Sequence, residues 1–262
     1  MAGESRKWLM WWVARTAVLF SAAWVFGQVG TSVRWLFAVG VAIFEVVRMR
    51  SVRDAMLEKA DRSYPLLMNA HLRSLAEKTV RETGVELEQI LLPAAVMKNA
   101  PTNTAMWITT GWQRGYLALS GSYKQNPDLV VGAAATQAAH GYLHHQEATE
   151  TRVVLAASAR AIALALMAAH AIWLLPVYVV FAFLVLVAER ASERELGIDA
   201  DIRAAAVIGY EPMRAYLIAL GGLGGGEAGG DGLLSRATSA EKRLDRVRQS
   251  RTKPPRLPVK TR

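Results

Sequence analysis

In the stretch TQAAHGYLHHQE (136–147), His140 and His144 stand four positions apart, and Gly141 follows the first of them. On a helix that spacing is about 400° of rotation, so the two imidazoles leave nearly one face and can grip one metal ion. In the metal-peptidase version of the pattern, the residue after the first histidine is a glutamate that serves as general base. Gly141 has no side chain to take that proton, so no catalytic residue is assigned with certainty. Glu147 is a weak substitute: it falls near the phase of His140 but about 10 Å further along a continuous helix, too far for a proton on metal-bound water. His145 points about 100° away from His144 and is expected to be exposed or interfacial. Tyr142 and Leu143 are expected in core packing.

The elements that must position these groups can be traced outward. NPD (126–128) sets up a helix start: Asn126 can cap, Pro127 suits the first helical position, and Asp128 suits the positive dipole end. The helix so launched is expected to run from Pro127 to about Glu150. Before it come three β-prone pieces, VELEQILLPA (85–94), TAMWITTGW (104–112) and GYLALSGSY (115–123), separated by Gly, Asn and Pro. Ser51 to about Thr83 has an amphipathic helical pattern. Residues 189–220 form two helices meeting near GYEP, the first carrying Glu193, Glu195, Asp199 and Asp201. Two imidazoles and one carboxylate, with the fourth position left to water, is the usual catalytic-zinc arrangement.

Composition places these pieces against a membrane. Of the 262 residues, 52% are apolar and eight are tryptophan, and the excess is concentrated in two blocks. Residues 8–26 and 33–47 flank the uncharged turn GQVGTS as one apolar hairpin, within which Arg15 and Glu45 fall at similar depth and are expected to pair or to reach the headgroups by snorkelling; the alternative is a single crossing from Thr16 to Val33. The block 153–188 is far too long for one crossing and is expected to fold back between His170 and Pro176 as a second hairpin. Two crossings return the carboxylate helix to the histidine side. Basic residues cluster at Arg6 and Lys7, at Arg48, Arg50 and Arg53, and in the tail, which puts the soluble parts and the tail in the cytoplasm. Of the net charge of +9, most lies in 233–262, with ten Lys/Arg against two Asp/Glu. That tail lacks aromatic interleaving and any nucleic-acid module, so no nucleic acid is expected, and anionic membrane lipid is the partner it fits. The absence of cysteine excludes disulfides and thiolate metal sites.

At this point the chain resembles a family, the HtpX-type integral-membrane zinc metallopeptidases, related to the CAAX prenyl proteases. The resemblance rests on an N-terminal membrane pair, the Asn103-Thr104-Ala105 element like the family's NA strand, and the histidine helix. It continues with the second membrane pair, SERELGIDAD (192–201), similar to SRxREYxAD, and SAEKRL (239–244), similar to the end of HPPTEERI. It implies zinc held by His140, His144 and Glu195, with Asp199 supporting a ligand histidine and Arg243 and Asn103 in supporting places. Glu193 and Asp201 are themselves expected on solvated helix faces. The chain departs from the family at Gly141 and at Arg236-Ala237, where HP is expected.

The resulting expectation is an α+β, mostly α, multi-pass inner-membrane protein with two transmembrane hairpins and a cytoplasmic metallopeptidase-like domain containing a small β-sheet. Its segments are an N-terminal hairpin (1–50), the first part of the peptidase-like domain with the zinc helix (51–152) and the second hairpin (153–188). The third-ligand helices (189–220), a Gly-rich linker (221–232) and the basic tail (233–262) follow. By that resemblance it binds zinc and handles membrane-protein or peptide substrates with weakened or lost hydrolysis. The alternatives are an active metalloendopeptidase that activates water through another group, and a metal-free membrane scaffold.

Overall fold

A computed structural model describes residues 31–97, 104–123, 126–170, 175–222 and 238–252. The apolar arm 8–26 with Arg15, the residue Asn103, the linker from 223 and the tail from 253 lie outside the described residues. Among the described residues the chain is mostly helical with a small three-stranded sheet. The elements are α1 (Thr31–Asp61), α2 (Ala70–Thr83), β1 (Glu86–Leu91), α3 (Pro93–Val96), β2 (Ala105–Gly111) and β3 (Arg114–Leu119). They continue with α4 (Pro127–Tyr142), α5 (His145–His170), α6 (Leu175–Ile208), α7 (Tyr210–Gly222) and α8 (Ala240–Thr252).

The expected transmembrane hairpins are corrected by these helices. None among the described residues is long and apolar enough to cross a membrane. In α6 the apolar start runs on without a break into Glu189, Arg190, Glu193 and Arg194, so its uncharged part falls short of the roughly 20 residues a crossing needs. In α1 the apolar arm likewise continues into a charged half. Within it Glu45 is buried and takes Arg48 at 2.8 Å.

The chain divides into two compact units, Met1–Ser51 with Glu150–Glu189, and Val52–Thr149 with Arg190–Arg262. In the first, the described residues leave many apolar side chains exposed, among them Leu36, Ile43 and Phe44 of α1 and Val177, Val180 and Leu184 of α6. Arg160 and Glu189 pair there at 3.1 Å.

The second unit is built on the sheet, in the order β1-β3-β2, with β1 parallel and β2 antiparallel to β3. The period-2 alternation of strand side chains divides the core in two. Ile90, Ala105, Trp107, Leu117 and Leu119 face Ala76 and Val80 of α2 and the buried alanines of α4, with Met213, Tyr216 and Leu217 of α7 beyond. Leu91, Ile108, Tyr116 and Ala118 pack on the other side with Ala60 and Val96. The helix α4 can lie at the centre of this core because its inward positions are small. At Gly132 a Cβ would come within 2.0 Å of the Tyr216 ring.

Candidate metal and peptidase site

The start of α4 is set by local chemistry. The Asn126 side chain accepts from the backbone N–H of Asp128 at 2.9 Å and of Leu129 at 3.4 Å, and Pro127 opens the first turn. The expected continuation to Glu150 is corrected: α4 ends at Tyr142, and α5 begins at His145. Between them His144 adopts a left-handed backbone, with φ 53°. Leu143, expected in the core, is exposed in that turn.

Once the helix breaks, the two histidines no longer sit one turn apart on a shared face. His140, in the last turn of α4, meets His145 instead: their Nδ1 atoms are 2.9 Å apart and the rings are near edge-on. His145, expected to be exposed or interfacial, is therefore buried. The imidazole of His144 lies against Trp112, with ring centroids 4.1 Å apart, and its Nδ1 is 4.0 Å from Glu147 Oε2. Burial, and secondarily the positive charge of Arg243, push His140 down to about 4. His140 keeps some solvent contact at its edge.

The space beside Gly141 is filled by the indole of Trp107. A Cβ on residue 141 would stand 2.4 Å from Trp107 Nε1 and 2.7 Å from Cε2. A Cβ on Gly115, across the sheet in β3, would stand 2.8 Å from that same Cε2. Trp107 thus occupies a slot between two glycines, one on β3 and one on α4. Its Nε1–H is buried with no hydrogen-bond partner.

Of the acidic residues on α6, Glu195 and Asp199 are exposed, and Glu193 accepts from Arg190 at 2.7 Å. Asp201, expected on a solvated face, is wholly buried. Its two carboxylate oxygens take Arg243 Nε at 2.6 Å and Nη2 at 2.8 Å. This is a desolvated two-point ion pair, the geometry in which Arg binds a carboxylate most strongly. Arg243 is thus engaged with a carboxylate that the sequence does not single out. Nothing local marks Asp201, whose burial depends on a residue on α8. Trp107 is equally silent in sequence, because its slot is made by glycines on two other elements.

A catalytic zinc takes three protein donors and a water. Among the described residues no group of three or more His, Asp or Glu is gathered as a metal would need. His140 and His145 form a pair, and two donors do not meet that requirement. As placed, these residues do not make up a catalytic zinc site.

No protein-family model matches the chain, and no curated protein matches it in sequence. Among solved structures, the crystal structure of Ste24p from S. mikatae is similar with a TM-score of 0.55 at 12% identity, covering 89% of this chain and 62% of that one. The class this defines is one of fold: most of the chain is arranged as in part of Ste24p, and it spans less than two thirds of that protein's length. At so low an identity the likeness concerns fold alone.

Proposed function

We propose that this chain is a metallopeptidase-like protein of the HtpX and CAAX-protease kind whose peptide hydrolysis is weakened or lost, and which acts by holding segments of membrane proteins. The fold shared with part of Ste24p supports this reading at the level of architecture. One observation carries the loss of hydrolysis. Gly141 supplies no general base, and Trp107 fills the volume into which any side chain at 141 would project. General acid–base help of this kind is worth roughly 10²–10⁴ in rate.

The zinc that the resemblance assigns to His140, His144 and Glu195 requires these residues to gather beyond their present placement. A metal-free scaffold is the second reading, favoured by His144 lying on Trp112 and Glu195 lying exposed. Zinc stoichiometry of the purified chain decides between them: about one zinc per chain, lost in His140→Ala, supports the first. Membrane lipid is the proposed partner of the exposed apolar side chains on α1 and α6, with the second unit on the cytoplasmic side.

The decisive assay is cleavage of casein and of a membrane-protein peptide. The expected result is no turnover by the native chain above the His140→Ala background. Native activity at the level of a working metallopeptidase, lost in His140→Ala, overturns the proposal.

A further inference from the structure

The outer edge of β2 has no neighbouring strand among the described residues. An edge of this kind presents backbone N–H and C=O groups to any extended segment that approaches. Here the edge is closed at one residue from both sides. The Thr109 N–H donates to Gln146 Oε1 at 3.1 Å, and Arg53 Nη2 donates to the Thr109 carbonyl oxygen at 3.4 Å. Between them, the two side chains satisfy the donor and the acceptor that an added strand would satisfy.

Gln146 owes its position to the break in the helix. It sits in the first turn of α5, two residues after the left-handed His144. A left-handed backbone costs an ordinary L-residue roughly 1–2 kcal/mol, and His tolerates it better than most. In the structure that cost is offset locally by the imidazole stacked on Trp112 and by the Gln146 contact with Thr109. Returning His144 to helical φ turns the chain by roughly 115° at one bond, and the first turn of α5 cannot keep its present place through such a change.

We propose that the left-handed turn at His144 is a latch: it holds Gln146 on the Thr109 N–H and so closes the β2 edge against the backbone of an extended peptide. When residues 143–146 become helical, the edge opens. One feature of the turn thus decides both where the second histidine points and whether the strand beside Gly141 can take a partner. This goes beyond the loss of hydrolysis and does not depend on it, since a closed edge concerns peptide docking alone.

The test is amide hydrogen exchange at Thr109 in the full chain, with the other β2 and β3 amides as internal reference. In Gln146→Ala, which removes the acceptor, Thr109 is expected to exchange roughly tenfold faster, the scale of one lost hydrogen bond. His144→Ala, which leaves Gln146 in place but disfavours the left-handed turn, is expected to give a similar acceleration. His144→Gly and His144→Asn, which accept that backbone, are expected to stay within about twofold of the native chain, since they change nothing at the Thr109 hydrogen bond. Gln146→Glu keeps an acceptor oxygen and serves as the folded control, with Thr109 protected. The latch is overturned if Thr109 exchanges as slowly in His144→Ala as in the native chain, because the turn then does not hold Gln146. It is equally overturned if Gln146→Ala changes nothing, or if His144→Gly releases the edge as fully as His144→Ala.

Discussion

Gly141 and Trp107 constrain each other, and the constraint decides what substitution at 141 can do. Placing glutamate there would drive its Cβ to 2.4 Å from the indole, an overpacking that typically costs 1–3 kcal/mol before the buried carboxylate is counted. Gly141→Glu is therefore expected to lower the urea midpoint and to leave peptidase activity at background. Combining it with Trp107→Ala, which vacates the slot, should recover part of the lost midpoint. A fully stable Gly141→Glu single variant would show that Trp107 does not hold the slot. The pair Asp201–Arg243 gives a second prediction at this scale. Both partners are buried and bound at two points, so Arg243→Ala strands a carboxylate and should cost about 3–5 kcal/mol. Adding Asp201→Ala to it should cost less than the sum of the two single changes, because the stranded charge is removed. A third concerns His140. Its imidazole is held neutral, down to about 4 against the ordinary 6.5. Between those values the unfolded chain binds a proton that the folded chain refuses. Stability from this group is complete above about 6.5 and is lost as pH falls towards 4, at most about 3 kcal/mol. Urea unfolding of metal-free protein at pH 7.5 and at pH 4.5 measures it, and His140→Asn should flatten that part of the difference.

The elements divide by whether their causes are local. The start of α4 is readable from three letters because a cap is satisfied within its own turn, and Asn126→Ala is expected to cost about 1 kcal/mol by thermal or urea unfolding. The three strands, too, fall within the three β-prone pieces between turn residues, and the Gly209 corner between α6 and α7 falls where GYEP suggested. The end of α4 is another matter. It depends on Trp107 against Gly141 and on Trp112 against His144, contacts made by residues of the β2–β3 hairpin. No helical periodicity in 127–150 records them, which is why the histidine pair appears intact in sequence and divided in the fold. The hydrogen bond from the Tyr116 hydroxyl to Asp61 ties β3 to α1. Chiefly through that bond, with burial adding to it, the phenol is pushed up to about 12. A raised phenol contributes stability that is complete below its ordinary 10 and is lost as pH rises towards 12. Tyr116→Phe is expected to lose about 1–2 kcal/mol near neutrality and to show a shallower decline between pH 10 and 12 in unfolding experiments.

At the scale of the whole molecule, hydropathy located the apolar blocks but not the helices that contain them. A window of residues 33–47 or 177–188 contains little but apolar side chains, and composition alone favours a crossing. The backbone instead runs α1 through Arg48, Arg50 and Arg53 and α6 through Glu189 and Arg190 without a turn, and a window cannot show where a helix ends. What remains is an exposed apolar surface. Ile43, Phe44, Val177, Val180 and Leu184 are each more than half exposed, and a patch of this kind on a folded chain marks a surface meant to be covered. If lipid covers it, the full chain should float with mixed phosphatidylcholine and phosphatidylglycerol vesicles in a density gradient. Phe44→Glu with Leu184→Glu should then reduce the bound fraction by about tenfold or more, given roughly 1.5–3 kcal/mol for each large apolar side chain removed from water. The unfolding midpoint set by the Asp201–Arg243 pair should not move. Ionic strength separates this contact from the attraction of the basic residues in 233–262 to anionic lipid. At 1 M salt that attraction is screened beyond about 3 Å, whereas apolar burial persists. A chain released from vesicles by salt alone, and indifferent to the paired Glu substitutions, would place a protein rather than a bilayer over α1 and α6.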